Sequence, residues 1–463
     1  MKEKFGVKTI LGLTATATKT TIASITRELG IETEEGVIKD IPLPDNLCLS
    51  ISRDENKDRA LLELLKSPRF RDSNATLIYC TRRDECERLA TLIRTINQDI
   101  TKPSSSKRLS WHAESYHAGM SSSRRKQVQK AFMCGNLRIV VATVAFGMGI
   151  NKRDIRAVIH YNMPKDFESY VQEVGRAGRD GMLAHCHLFL DSKGKDLCEL
   201  RRHIYSDTVD RFVLRKLLER VFIECKCGKK EEPVKCNGHE VAFDCNDTIH
   251  ALDLPEENIY TLLCYLELHP NKLIKVLTPV YTNCKIQSYK GVKALHAAAK
   301  KCPPLAVACA MDAKKSATLN FNVVEIARTI SWDSGVVKNQ LKNMEWDKTN
   351  DKWKKTGIIV DFSNLGFRVC ARGDMTPSEL DEALDYLYKR VDDQEKRAAN
   401  QLEIVYSALT HFSVEKFKDV EEDYDKEKSN RLKEVIRKYF EFEKLPEDVP
   451  MKKVEVSNNI FHY

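Results

Sequence analysis

The sequence predicts a parallel α/β sheet lobe followed by a Cys/His-bearing segment, a smaller mixed module and C-terminal helices, on three observations. Between residues 75 and 190 the apolar runs ATLIYC, RIVVAT, RAVIHYN and HCHLFL alternate with amphipathic stretches, as in parallel strands joined by crossover helices. Near residue 223 the stretch ECKCGKKEEPVKCNGHE replaces hydrophobic periodicity with turn residues and mixed charge. After Phe321 the text reads as helix VVEIARTI, turn SWDSG and helix VVKNQLKNM, then two extended runs, EWDKTNDKWKK and TGIIVDFSNLGFRV.

Each element has a local reason. In SSSRRKQVQKAFMCG a serine caps a crossover helix, Val128, Phe132 and Met133 are expected on its buried face, and Gly135 stops it. Ligands of open α/β sheets sit at the carboxyl ends of strands, so the loops after Cys80, Thr143 and Asn162 are where chemistry is expected. DSKGKD ends the sheet region, and a charged helix is expected from about Asp207 to Phe222. The two extended runs after the second helix suggest a hairpin, and helix, turn, helix and β-wing together resemble a winged helix. From Met375 the chain is highly charged with helical periodicity, either a solvated helix or a partly disordered tail. No internal repeat is visible.

Composition narrows the function classes. With 463 residues, 42% apolar and 31% charged, the chain can bury two to four cores. No run reaches the roughly 18 apolar residues of a membrane span, and the N-terminus shows no signal-peptide pattern. Fifteen scattered cysteines suggest reduced thiols in a cytosolic or nuclear compartment. The balance of 75 Lys+Arg against 67 Asp+Glu gives +8, which permits nucleic-acid binding without demonstrating it.

The motifs carry more. LGLTATAT, residues 11 to 18, is either a Thr-rich strand end or a hydroxyl-lined contact. In VVATVAFGMGINKRDIRAVIH, Gly147 and Gly149 let backbone N–H groups approach a phosphate, with Thr143 and Asn151 nearby; an ordinary structural turn is the alternative. In SYVQEVGRAGRDG, Asp166 is expected to cap a helix carrying Tyr170 and Gln172, and Gly175 to end it in a left-handed conformation. Arg176 and Arg179 then leave a loop opened by Gly178 and Gly181, and guanidinium forks suit charge on a transferring phosphoryl group. Neither a G-x-x-x-x-G-K-[ST] loop nor a D-E-x-H carboxylate occurs in the chain, since Gly194-Lys195 is followed by Asp196.

Cys225, Cys227, Cys236 and His239 offer three thiolates and an imidazole within fifteen residues, a set that suits tetrahedral Zn2+; Cys245 can substitute for one of them, and free thiols are the alternative. In the wing, Trp346 and Trp353 interleave with Lys352, Lys354 and Lys355, either a stacking and phosphate-contact surface or a half-buried tryptophan pair under a solvated turn. Glu345, Asp347 and Asp351 dilute the charge.

Taken in order, GLTATAT, LIYCTRR, SYHAGM, VVATVAFGMGINKRDIRAVIHYNMP and ESYVQEVGRAGRDG resemble motifs III to VI of RecQ-family DNA helicases of superfamily two, over about residues 8 to 200. The Cys/His run, ALDLPEENIYTLLCYLELHP and CPPLAVACA are similar to the RecQ branch associated with Rothmund–Thomson syndrome. That resemblance implies an α/β fold with a RecA-like parallel sheet lobe, then a zinc-binding segment, a winged-helix module and C-terminal helices. The expected boundaries are a remnant of a first RecA-like lobe over 1–44, the second lobe over 45–222, the zinc segment over 223–250, the winged-helix-like module over 251–375 and a charged helical region over 376–463.

It also implies roles. Arg179 would be the arginine finger, Arg176 its phosphate-contacting neighbour and Gln172 the residue coupling nucleotide to DNA. Thr81, Arg82, His117, Thr143 and Gly147 would lie along a single-strand track. The expected activity is ATP-dependent 3′ to 5′ DNA unwinding in replication, recombination and repair in the nucleus, using ATP with Mg2+ and acting on single-stranded and forked DNA. The chain is expected to be a C-terminal portion beginning just before motif III, inactive alone for want of the phosphate loop. A non-enzymatic DNA-binding or scaffold product of a truncated helicase is the competing class, and an RNA-directed helicase lobe a third.

Overall fold

The computed structural model describes residues 6–14, 16–31, 36–39, 43–98, 112–147, 150–206, 209–223, 238–312, 316–349, 352–373, 375–420 and 422–451. They divide into two units, residues up to 206 together with those from 397 onward, and residues 207–396.

In the first unit, six strands run in the order β1-β6-β5-β2-β4-β3: β1 (Leu47–Ser52), β2 (Thr76–Tyr79), β3 (Ala113–Tyr116), β4 (Ile139–Ala142), β5 (Ala157–His160) and β6 (Ala184–Phe189). Every pairing is parallel, as the alternation of strands and crossovers predicts. The near-continuous apolar runs follow from burial on both faces: Leu77, Tyr79, Val140 and Val158 join one core, while Ile78, Val141 and Ile159 join the other.

The crossover helix Ser122–Met133 starts where expected, the Ser121 hydroxyl accepting from Arg124 N at 3.3 Å, and Gly135 follows it with φ 76°. Its buried face is Val128 and Phe132. Met133 is 38% exposed, because one further residue turns the side chain about 100° away from Phe132.

The charged C-terminal region does not stand apart. Leu402, Val405, Leu409, Leu432, Ile436, Tyr439 and Phe440 enter the same core as the sheet. The segment between the last two helices and the helix Glu422–Phe442 close the edge strand β1. Val414 N donates to Ile51 O at 3.0 Å, Arg53 N to Val414 O at 2.9 Å and Leu49 N to the Ser429 hydroxyl at 2.8 Å. A neutral imidazole lies under this edge. His187 is 1% exposed, with Nδ1 2.8 Å from Ser50 Oγ and Nε2 3.0 Å from Ser52 Oγ; Ser52 gives its proton to Asp54 at 2.6 Å, so Nε2 carries the ring hydrogen.

The second unit holds an antiparallel sheet in the order β7-β12-β8-β9, from β7 (His239–Asp244), β8 (Ile274–Ser288), β9 (Thr318–Asn322) and β12 (Ile358–Ala371). The expected charged helix is Arg211–Val221, capped by Asp210. Two helices, Val323–Thr329 and Ser334–Asn343, flank SWDSG, capped by Asn322 and Asp333. The expected hairpin between the two extended runs is not formed. The first run pairs with itself, β10 (Trp346–Thr349) against β11 (Lys352–Lys355), and the second is β12, which lies between β7 and β8. β12 presents the apolar positions Ile358, Val360, Phe367 and Val369 to two cores, which the charged first run cannot match.

Burial pushes the His187 imidazole down to about 3, against an ordinary value near 6.5. Because the unfolded chain takes up this proton first, stability is complete above about pH 6.5 and is lost as pH falls toward the folded value. In urea melts, the stability advantage of the parent over His187→Asn is expected to be constant above about pH 7 and to shrink below 6.5, by up to about 1.4 kcal/mol per pH unit. A pH-independent advantage would show that the ring titrates normally.

Candidate functional site

The helix Phe167–Val174 follows β5 and is capped by Asp166, whose carboxylate accepts from Ser169 N at 2.6 Å. Phe167, Tyr170, Val171 and Val174 bury one face, so the residues after it are delivered at a fixed point. Gly175 is not left-handed as expected; its φ is −65°, and Gly178 and Gly181, at 62° and 81°, take that role. The turn therefore comes after Arg176, which leaves its side chain under the loop that follows β4.

There Arg176 is 7% exposed and Nη1 donates to the Gly147 carbonyl. Arg179 reaches the same loop, Nη1 donating to Ile150 O at 2.9 Å and Nε to Gly175 O at 3.3 Å. Among the described residues neither guanidinium forms an ion pair; Asp180, next in sequence, is held by Arg156. Burial, and then the charge of Arg176, pull Arg179 below its ordinary range. Two neighbouring cations without a carboxylate, one with a buried Nε lacking a hydrogen bond, form an anion-demanding arrangement. Gly147 is required by geometry: at φ 152° it leaves no room for a side chain, since a Cβ would run into the Arg176 guanidinium. Gln172 and Asn151 are exposed, and Gly149 lies outside the described residues.

The expected single-strand residues gather at one edge. β5, β2, β4 and β3 are consecutive neighbours, so Asn162, Thr81, Thr143 and His117 follow adjacent carboxyl ends. Thr81 N donates to Asn162 Oδ1 at 3.1 Å. Arg82 is exposed and folded onto Asp84, at 2.6 Å. His117 is 5% exposed with Nε2 3.0 Å from Glu87, so its imidazole faces a carboxylate. Thr143 is also buried, its backbone N donating to Tyr116 O at 3.2 Å. Sequence reasoning missed the Lys57–Asp196 pair at this edge, 2.8 Å long with both side chains 10% exposed. The Gly194-Lys195-Asp196 text gave no sign that Asp196 holds a lysine.

In the second unit, Trp346 is 45% exposed with Lys355 Nζ 5.6 Å from its ring centre, and Lys354 is exposed. The side chains of Lys352 and Trp353 lie outside the description, as do Cys225, Cys227 and Cys236. His239 opens β7 and Cys245 follows the end of that strand as a buried core residue, its thiol pushed up to about 11 by burial. A strand of this length separates the two by roughly 17 Å or more, so they cannot share one tetrahedral ion. Among the described residues no cluster of three or more His, Cys, Asp or Glu could hold a metal.

The Helicase conserved C-terminal domain matches residues 56–181, which span both arginines and the strand-end edge. ATP-dependent DNA helicase Q4 of Homo sapiens is 40% identical over 485 residues, covering 96% of this chain and 40% of that protein. ATP-dependent DNA helicase RecQ of Bacillus subtilis is 33% identical over 271 residues, covering 56% and 42%. Over 96% of its length the chain is similar to the RecQ-type helicase Q4. It spans about 40% of the length of the helicase Q4 relatives. Among solved structures, a DEAD box protein from Methanococcus jannaschii is 27% identical with a TM-score of 0.27, covering 34% of this chain and 40% of that one. The sheet, the glycine loop and the arginine loop belong to one unit, and segments outside the matched domain supply the cover for β1.

Gly147→Ala is expected to cost about 1–3 kcal/mol of stability from backbone strain and to move the Arg176 guanidinium. The check is a urea melt together with the Arg176 Nε–H resonance. An equally stable variant with an unmoved resonance would show that the contact constrains nothing.

Proposed function

We propose that this chain supplies the arginine side of an ATP site and part of a DNA track in an ATP-dependent 3′ to 5′ DNA helicase of the RecQ family. The observation that carries the reading is the Arg176–Arg179 pair, fixed on the Gly147 and Ile150 carbonyls with no carboxylate partner among the described residues. Arg179 is the finger on the γ-phosphate of ATP·Mg2+, Arg176 its neighbour, and Gln172 links nucleotide to DNA; Gly147, Gly149 and Asn151 form the loop facing the phosphates. Thr81 and Arg82 contact single-stranded or forked DNA, with His117 and Thr143 holding the edge behind them. The wing adds phosphate contacts through Lys354 and Lys355 and stacking through Trp346 and Trp353. The setting is replication, recombination and repair in the nucleus.

The sequence holds neither a phosphate loop nor a D-E-x-H carboxylate, so the other side of the site comes from a further lobe. Exposed apolar residues near the N-terminus support this. Leu11 and Leu13 are 80% and 87% exposed, and the amphipathic helix Lys19–Leu29 buries none of its residues. The same absence favours a second reading, a non-enzymatic DNA-binding or scaffold product.

Cys225, Cys227, Cys236 and His239 would hold a structural Zn2+, whose role is to tie the segment after the sheet lobe together.

The 463-residue chain alone is expected to show no DNA-stimulated ATP hydrolysis. Placed after a phosphate-loop lobe it should hydrolyse ATP, and Arg179→Ala should lower that rate by about 10³-fold or more with DNA binding retained. Turnover by the chain alone, or an undiminished rate in the variant, contradicts the assignment. Elemental analysis should find one zinc per chain, lost on His239→Ala; metal-free protein purified without chelator would remove the zinc site.

A further inference from the structure

Between the strand-end edge and the two arginines lies a buried polar set. Tyr79 and His160 are register partners on β2 and β5, and their rings stack with centroids 5.5 Å apart at 27°. His160 is 2% exposed and its Nε2 lies 2.7 Å from Oε2 of Glu173, itself 6% exposed. Tyr170 packs on the same imidazole at 5.1 Å. Among the described residues His160 Nδ1 has no hydrogen bond, so Glu173 makes the polar contact that sets the ring's direction.

This set touches both supports of the arginines. The Tyr79 hydroxyl donates to Phe146 O at 3.0 Å, one residue before the glycine whose carbonyl holds Arg176. The backbone carbonyl of Glu173 accepts from Arg176 N at 3.3 Å. On the other side, two residues further along the same strands, Thr81 N is bonded to Asn162 Oδ1.

We infer that Tyr79, His160 and Glu173 are positioning residues that couple occupancy of the DNA edge to the placement of Arg176 and Arg179. The inference rests on the proposed function. A buried hydrogen-bonded pair contributes modest net stability, but its bond is directional, and truncating one partner leaves the other unsatisfied. Here the direction matters. A shift of the β2 and β5 ends carries the Tyr79–His160 rung with it, and that rung pulls the Phe146–Gly147 backbone through the phenol and the Glu173 end of the helix through the imidazole. Both anchors of Arg176 then move together, because packed interiors transmit small displacements instead of absorbing them.

The test uses this chain joined to a phosphate-loop lobe, reading kcat with and without saturating single-stranded DNA, KM for ATP, and melting temperature. Tyr79→Phe keeps the stack and removes the hydroxyl's contacts with Phe146 O and with the Arg176 side chain. It is expected to lower the ratio of DNA-stimulated to DNA-free kcat by about 5-fold or more, within the usual range of coupling between sites, with KM for ATP and melting temperature unchanged. Glu173→Gln, which still accepts from His160, should retain more of that ratio than Glu173→Ala. If Tyr79→Phe fails to fold, the Glu173 pair decides. Stimulation ratios equal to the parent in the folded variants overturn the coupling role and leave the helicase reading intact. A parent protein with no DNA-stimulated hydrolysis removes both.

Discussion

The edge strand β1 must be closed, and the geometry of the first unit depends on how. A parallel strand with one open side leaves backbone groups unpaired and an apolar face uncovered. Here the open side is satisfied from nearly four hundred residues away in sequence, with Leu49 N bonded to Ser429 Oγ and Arg53 N to Val414 O. Lys433 is 2% exposed and donates to Asp45 O at 3.0 Å, fixing the chain just before the strand. The helix that closes the edge also meets the helix carrying the arginines: Tyr439 packs against Phe167 with ring centres 5.1 Å apart, and its hydroxyl lies 3.4 Å from Glu168. The cover of the sheet thus becomes the backing of the site.

From that backing the electrostatics follow. Arg176 is too buried to be solvated and too close to Arg179 to be indifferent to it, yet both guanidinium groups spend donors on backbone carbonyls rather than on carboxylates. Carbonyl dipoles orient a cation without neutralising it. A carboxylate would have cancelled the field that an anionic ligand needs, and the acid at hand, Asp180, is drawn off by Arg156. Charge on the arginines is preserved by placement, not by isolation.

Much of this was legible in the text of the chain. The parallel sheet was, because strands buried on both faces write continuous apolar runs, as TLIY and IVVA do. The helix caps at Ser121 and Asp166 were, because a cap is a short-range bond between a side chain and a backbone N–H three residues on. The arginine loop was legible as a motif. The left-handed turn within it was misplaced by three residues, because glycine marks where such a conformation is allowed and packing decides which glycine adopts it. The wing hairpin was misread, since β12 pairs with strands whose partner residues, such as Ser288 for Ile358, lie far back in the chain, beyond any local signal.

By itself the sequence determined the sheet class, the elements and the residue types of the candidate site, because these rest on periodicity, capping and spacing, all short-range properties. Only the tertiary structure decided that His117 faces Glu87, that the charged tail is the missing edge of the sheet, and that His160 and Glu173, thirteen residues apart, meet beneath the arginines. Those outcomes depend on which surfaces are brought together when the core closes. Burial is a property of the assembled fold, and a charged residue reads the same in the chain whether it ends in water or against a partner.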